Sequence, residues 1–212
     1  MSKIGVGVIT AGVRPLKNYR LAEGTQFYVF VDKERKGPAY ARNQCLRKLY
    51  DNGCDYIFLF DDDCYPVMDG WEKYFIDQAN EARVDYMAIP EVFKTGFEGQ
   101  NCGEMMFWDG ACGCFIYQTR YCIETIGGYN NAYVKYGLED AARTHRARKA
   151  GMTGDPHYFS FPLRGLAYIH SEDIFGVTAI QNMTMEEKLK YVHQNQETYN
   201  KEIRSDKLFY EF

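Results

Sequence analysis

The stretch DYIFLFDDD, Asp55 to Asp63, decides how this chain folds. Its apolar run YIFLF, residues 56–60, lacks polar alternation and reads as a strand buried on both faces of a parallel sheet. The run passes straight into Asp61, Asp62 and Asp63. Three adjacent carboxylates raise one another's pKa, and a hard divalent cation removes that conflict. Oxygen donors favour Mg²⁺ or Mn²⁺ over zinc, and such ions take one or two carboxylates together with substrate phosphates. A solvated acidic turn is the other reading of the same triplet.

Ile4–Thr10 (IGVGVIT) and Gln26–Val31 (QFYVFV) read as two further strands. Residues 39–52 read as a helix stopped by Asn52-Gly53, residues 69–82 as a second helix and Tyr86–Pro90 as another strand. The order β, β, α, β, α, β predicts an α/β fold with a doubly wound, mostly parallel sheet. Ligands of such sheets lie beyond the carboxyl ends of the strands, which puts Thr10, Asp32 and Asp61 to Asp63 on one rim. Further on, residues 93–104 read as a Gly- and Asn-rich loop, and 107–117 as a strand interrupted by glycine. Helices are expected at 120–126 and 138–150, with short strands at 158–161 and 166–169. Thr184-Met-Glu-Glu187 is a capping box, opening a C-terminal helix over 184–203. The whole chain, 1–212, reads as one domain.

The net charge of −4 argues against an obligate nucleic-acid binder, although not against a local basic patch. The 18 Tyr and 14 Phe suit either a site for flat-faced polar ligands or an aromatic core. Seven cysteines, an odd count, suggest reduced thiols, and the one-residue spacing of Cys112 and Cys114 does not match a zinc site. MSKIGVGVITAG lacks an apolar signal core, and no apolar run approaches the ~20 residues of a membrane span. The expectation is a soluble, cytoplasmic protein.

Several segments together resemble the GT-A fold glycosyltransferases. Gly37-Pro-Ala-Tyr-Ala-Arg-Asn43 followed by Asp55 to Asp63 is similar to the glycosyltransferase family 2 pattern, an Ala-Arg-Asn helix start, an apolar strand and a DxD motif. Trp108-Asp-Gly-Ala-Cys-Gly113, Ile126-Gly-Gly-Tyr-Asn130, Tyr136-Gly-Leu-Glu-Asp140 and then His170-Ser171 resemble the C-terminal half of the β-1,4-galactosyltransferase-like enzymes. The likeness spans residues 4–175, with two departures. Asp32-Lys-Glu-Arg35 stands where family 2 has Asp-Asp-Gly-Ser, and Lys135-Tyr-Gly-Leu-Glu-Asp140 where the galactosyltransferases have Trp-Gly-Gly-Glu-Asp. Both blur donor and acceptor identity.

The resemblance implies a nucleotide-sugar-binding half at 1–100 and an acceptor and catalytic half at 101–175. It makes Asp61 and Asp63 the metal-binding pair, with His170 completing the coordination of Mn²⁺ or Mg²⁺. Asp140 is the candidate general base, at a helix start where N–H groups stabilise anions, and Glu139 the candidate contact for an acceptor hydroxyl. Thr10, Arg14, Arg42 and Asp62 would lie at the donor diphosphate, Asp32 at the nucleoside, Trp108 and Gly110 at the sugar. The basic run Arg143, Arg146, Arg148 and Lys149 invites an anionic acceptor or is a solvated helix face.

The function expected is metal-dependent, inverting transfer of a sugar from a nucleoside-diphosphate sugar, a UDP-sugar by resemblance. The acceptor hydroxyl belongs to a glycan or glycoconjugate, or to a hydroxymethylpyrimidine in DNA. A sugar nucleotidyltransferase and a non-catalytic sugar-binding domain are the alternatives.

Overall fold

A computed structural model of the chain describes residues 2–90, 99–102, 104–172 and 183–212. One eight-stranded sheet runs through it, in the order β2-β1-β3-β8-β5-β9-β7-β6. The strands are β1 (Ile4–Thr10), β2 (Gln26–Val31), β3 (Tyr56–Asp61), β5 (Tyr86–Pro90), β6 (Gly99–Cys102), β7 (Met105–Trp108), β8 (Ala111–Thr119) and β9 (Phe159–Pro162). β1 pairs in parallel with both β2 and β3, as the apolar runs predict. β8 then enters antiparallel between β3 and β5, and β7 runs antiparallel to β9. The other six strands share one direction, so the sheet is mostly parallel with a reversed strand near its middle.

The helices are α1 (Pro38–Asp51), α2 (Trp71–Ala82), α3 (Arg120–Ile126), α4 (Glu139–Lys149), the single turn α5 (Gly165–Tyr168) and α6 (Met185–Arg204). Pro38 opens α1, where its missing N–H costs nothing. Thr184 and Glu187 cap α6 reciprocally, as their spacing predicts.

Two local expectations need correction. Part of the stretch expected as loop, residues 99–102, pairs with β7 as strand β6, while 93–98 and 103 lie outside the described residues. Residues expected as strand at 166–169 are mostly the turn α5, and the chain extends only at β10 (Ile169–Ser171), antiparallel to β4 (Cys64–Pro66). A four-residue apolar run cannot separate helix from strand by its own periodicity.

Much of the aromatic content is core. Phe58, Phe60, Trp71, Phe75, Phe115 and Phe161 pack mainly edge-on or tilted, with Phe58 and Trp71 rings 4.7 Å apart. Trp71 Nε1 donates to the Tyr19 carbonyl at 3.1 Å, which satisfies the indole in an otherwise apolar setting.

The basic run on α4 is divided, with Arg143 and Arg146 in the interior and Arg148 and Lys149 towards the surface. Arg143 and Arg146 are fully buried. Arg146 donates to the carbonyls of Ile126, Gly128 and Leu208 and pairs with Glu202 on α6 at 2.8 Å. It thereby satisfies carbonyls left open where α3 ends. Arg143 donates to Gln118 and to the Gly127 carbonyl, Arg148 to the His157 carbonyl, and Lys149 to Ser205 and Asp206. The sequence spacing placed these cations near one another; the packing turned Arg143 and Arg146 to internal work. Arg146→Ala leaves Glu202 buried without its counter-charge, at a cost of about 3–5 kcal/mol. The expected result is a fall in Tm on the order of 10 °C by calorimetry; a change of a degree or two would show that the pair carries no such weight.

Candidate active site

Three strand ends and one helix start meet around a cleft of about 480 Å³. Thr10 closes β1, Asp32 follows β2, and Asp61 to Asp63 leave β3. Glu139 and Asp140 begin α4 on the opposite wall. Ala111 to Cys114, at the start of β8, form part of the lining. The volume suits a small organic ligand.

Arg42, on the first turns of α1, organises the floor. Its Nη1 donates to Asp140 at 2.8 Å and to Glu139 at 3.3 Å. Its Nη2 donates to Asp61 at 2.6 Å and to the Gly113 carbonyl at 3.0 Å. The guanidinium also sits 5.6 Å from the centre of the Tyr129 ring. One buried cation thus ties together carboxylates from β3 and α4. Arginine suits this task because its planar fork serves several acceptors and stays charged when buried. Asn43, the next residue, accepts from the Tyr129 amide and donates to the Tyr129 carbonyl and Asn131. The Ala-Arg-Asn and Gly-Gly-Tyr-Asn motifs, far apart in sequence, are therefore hydrogen-bonded neighbours.

A second cation handles the remaining aspartates. Arg14 Nη1 lies 2.6 Å from Asp62 and 3.0 Å from Asp63. Asp62 also accepts from the Thr10 hydroxyl at 2.5 Å. Burial pushes the Asp61 carboxyl up to about 7; Arg42 opposes that shift, and Asp63 and Asp140 add to it. Burial likewise holds Glu139 well above the usual carboxylate range, with Asp140 pushing the same way. Five carboxylates, Asp61, Asp62, Asp63, Glu139 and Asp140, thus face two guanidinium groups in the cleft.

The remaining expected residues fall as follows. Asp32 lines the cleft, and its carboxylate accepts from the amides of Lys36 and Gly37, ordering the loop before α1. Trp108 is buried in β7, and Gly110 precedes β8; neither lines the cleft. His170 stands on β10 with its ring 5.3 Å from that of Tyr65, also outside the cleft wall. The residue after its strand does touch the acidic segment, since the Glu172 amide donates to the Asp63 carbonyl at 2.9 Å. Among the described residues, no three His, Cys, Asp or Glu side chains form a ready metal cage.

The structure adds Gly113, inside the Trp-Asp-Gly-Ala-Cys-Gly segment. A Cβ there would stand 1.8 Å from Asp140 Oδ2, so only glycine lets that carboxylate reach Arg42. The signal in the sequence was the second glycine of the motif. Asn195 of α6 is a further addition with no local signal. Its side chain donates to the carbonyls of Val134, Tyr136 and Gly137 and accepts from the Val134 amide, pinning the loop before α4.

Across this cleft a mostly parallel α/β sheet presents an acidic strand end to an acidic helix start. Residues 96–188, under half of the chain, match a family model described as the N-terminal domain of galactosyltransferase. No curated protein matches the chain in sequence. Among solved structures, it is similar to A197 from STIV, at 12% identity over 57% of this chain and 67% of that one, with a TM-score of 0.41. It is also similar to a mutant Drosophila β-1,4-galactosyltransferase 7 in complex with manganese, UDP-Gal and xylobiose. That likeness is at 13% identity over 89% of this chain and 79% of that one, with a TM-score of 0.45. Among the described residues, no helix is long and apolar enough to cross a membrane.

Proposed function

We propose that the protein transfers a sugar from a nucleoside-diphosphate sugar, a UDP-sugar, to an acceptor hydroxyl, with inversion at the anomeric carbon. The observation that carries this reading is Arg42 gathering Asp61, Glu139 and Asp140, from three distant segments, onto one cleft.

Asp140 is the general base. It lies at the start of α4 with part of its surface open to the cleft, and Arg42 holds one of its oxygens. The other oxygen, beside Gly113, is the one that would accept the proton of an attacking hydroxyl. Glu139, buried behind it, sets the position of Arg42 and is the candidate contact for the acceptor. Thr10 and Arg14 keep Asp62 and Asp63 aligned at the strand end.

The donor set fits a hard cation. The oxygen ligands suit Mn²⁺ or Mg²⁺, and the excess of carboxylates over guanidinium groups favours added positive charge. Asp61 and Asp63 would hold it, with His170 proposed as a later ligand from the neighbouring ribbon. When bound, such an ion stabilises charge on a departing diphosphate.

A glycan or glycoconjugate hydroxyl is the favoured acceptor. Of the basic run that spoke for modified DNA, Arg143 and Arg146 are buried in internal contacts, so duplex binding would have only Arg148 and Lys149 of that run at the surface.

The test is a donor screen. Purified protein with Mn²⁺ is expected to release UDP from one UDP-hexose faster than from its epimers, and chelation by EDTA should abolish the release. No release from any nucleotide sugar, with or without sugar acceptors, would remove the assignment.

A further inference from the structure

We infer that the cations receiving the donor's phosphates are Arg35, Lys135 and Lys188 at the mouth of the cleft, and not Arg14 or Arg42. The inference rests on reading the cleft as a nucleoside-diphosphate-sugar site.

Arg14 and Arg42 look from sequence like phosphate ligands, but their chemistry is already committed. Arg14 sits within 3.0 Å of Asp62 and Asp63. Arg42 serves Asp61, Glu139 and Asp140. A phosphate arriving at either guanidinium would compete with carboxylates already at hydrogen-bond distance. Without a cation at Asp61 and Asp63 it would also stand among five anionic or titratable acids, where like charge opposes it.

Three other cations line the same cleft: Arg35 from the β2–α1 loop, Lys135 from the α3–α4 loop and Lys188 from the first turns of α6. Among the described residues, no carboxylate stands within ion-pair distance of Arg35 or Lys135. Lys188 Nζ lies 5.4 Å from the centre of the Tyr136 ring, another residue of the wall.

These cations sit on a built surface. The Lys135 amide donates to the Lys36 carbonyl at 3.2 Å, and the Lys135 ammonium donates to the Arg35 carbonyl. At Gly37 a Cβ would be 2.4 Å from the Lys135 carbonyl oxygen, so the two loops touch backbone to backbone. Arg35 and Lys135 both adopt left-handed conformations, with φ of 55° and 57°. Non-glycine residues seldom do so, and such strain concentrates at ligand sites. The α6 side is fixed too, by Asn195 on the loop carbonyls and by Val192 against Gly137. The result is an acidic floor under a cationic rim, which orients a ligand carrying a phosphate chain at one end and a neutral sugar at the other.

The test measures binding rather than turnover. UDP, uridine and inorganic pyrophosphate are titrated calorimetrically, with Mg²⁺ present, into the wild type and into R35Q, K135Q and K188Q. Each substitution is expected to weaken UDP and pyrophosphate by roughly tenfold, as for loss of one charge-assisted contact, and to leave uridine unchanged. Lys188→Arg should restore most of the UDP affinity. Unchanged UDP binding in all three variants would overturn the inference while leaving the nucleotide-sugar reading in place. Equal loss for uridine would also overturn it, by showing a structural effect. Wild-type protein that binds pyrophosphate through these residues, yet gains nothing from the uridine, would support the cationic rim and defeat the nucleotide-sugar reading. Binding of none of the three probes would sink the inference.

Discussion

Replacing Asp140 by Asn is expected to lower turnover by about 10²–10⁴-fold, the range for loss of a positioned general base. Asn has nearly the same shape, and its oxygen still accepts from Arg42, so the carboxylate's place at the head of α4 stays filled. What it lacks is an oxygen able to take a proton. The fall should therefore appear in kcat, with KM for the donor and the melting curve near wild type. Glu139→Gln makes the useful contrast. Burial already holds that carboxyl towards its neutral form, so the amide resembles the native state and the loss should stay under about tenfold. Equal losses at both positions would mean that the two acids act together. Near-normal transfer by the Asp140 variant, with the fold intact, would remove the residue from its role.

Gly113→Ala should be almost as damaging, for a purely steric reason. The added methyl would occupy the place of the Asp140 carboxylate, 1.8 Å from Oδ2 and 2.0 Å from Cγ. Backbone and carboxylate cannot both stay, so either Asp140 swings off Arg42 or β8 shifts at its start. A displacement of about 1 Å in a reacting group costs on the order of 10² in rate. Steady-state kinetics should show a loss of kcat of that size or more, and a crystal structure of the variant should show Asp140 parted from Arg42. Wild-type turnover would indicate that the carboxylate has a second productive position.

The parts of the site that were legible in the sequence are those where local pattern and function coincide. The unbroken YIFLF run specifies a buried strand, and its carboxyl end carries Asp61 to Asp63, so fold and acidic cluster are read in one pass. The capping box at Thr184 and the proline at the start of α1 are likewise local. The reversed strand β8 was not legible, because strand direction depends on how the chain returns and not on side-chain alternation. The basic run on α4 shows the same limit. Spacing groups Arg143 with Arg146, but only the open carbonyls at the end of α3 and the nearby Glu202 turn them inward.

Alone, then, the residue order settled the α/β architecture, the acidic strand end and the motif set that places Glu139 and Asp140 at a helix start. These follow from hydrophobic periodicity and capping chemistry, which act over a few residues. Tertiary structure alone decided that Arg42 serves carboxylates, that Gly113 makes room for Asp140, and that Arg35, Lys135 and Lys188 share one rim. Those facts are distances between groups 19 to 153 residues apart, and a charge takes its meaning from whichever group the fold sets beside it.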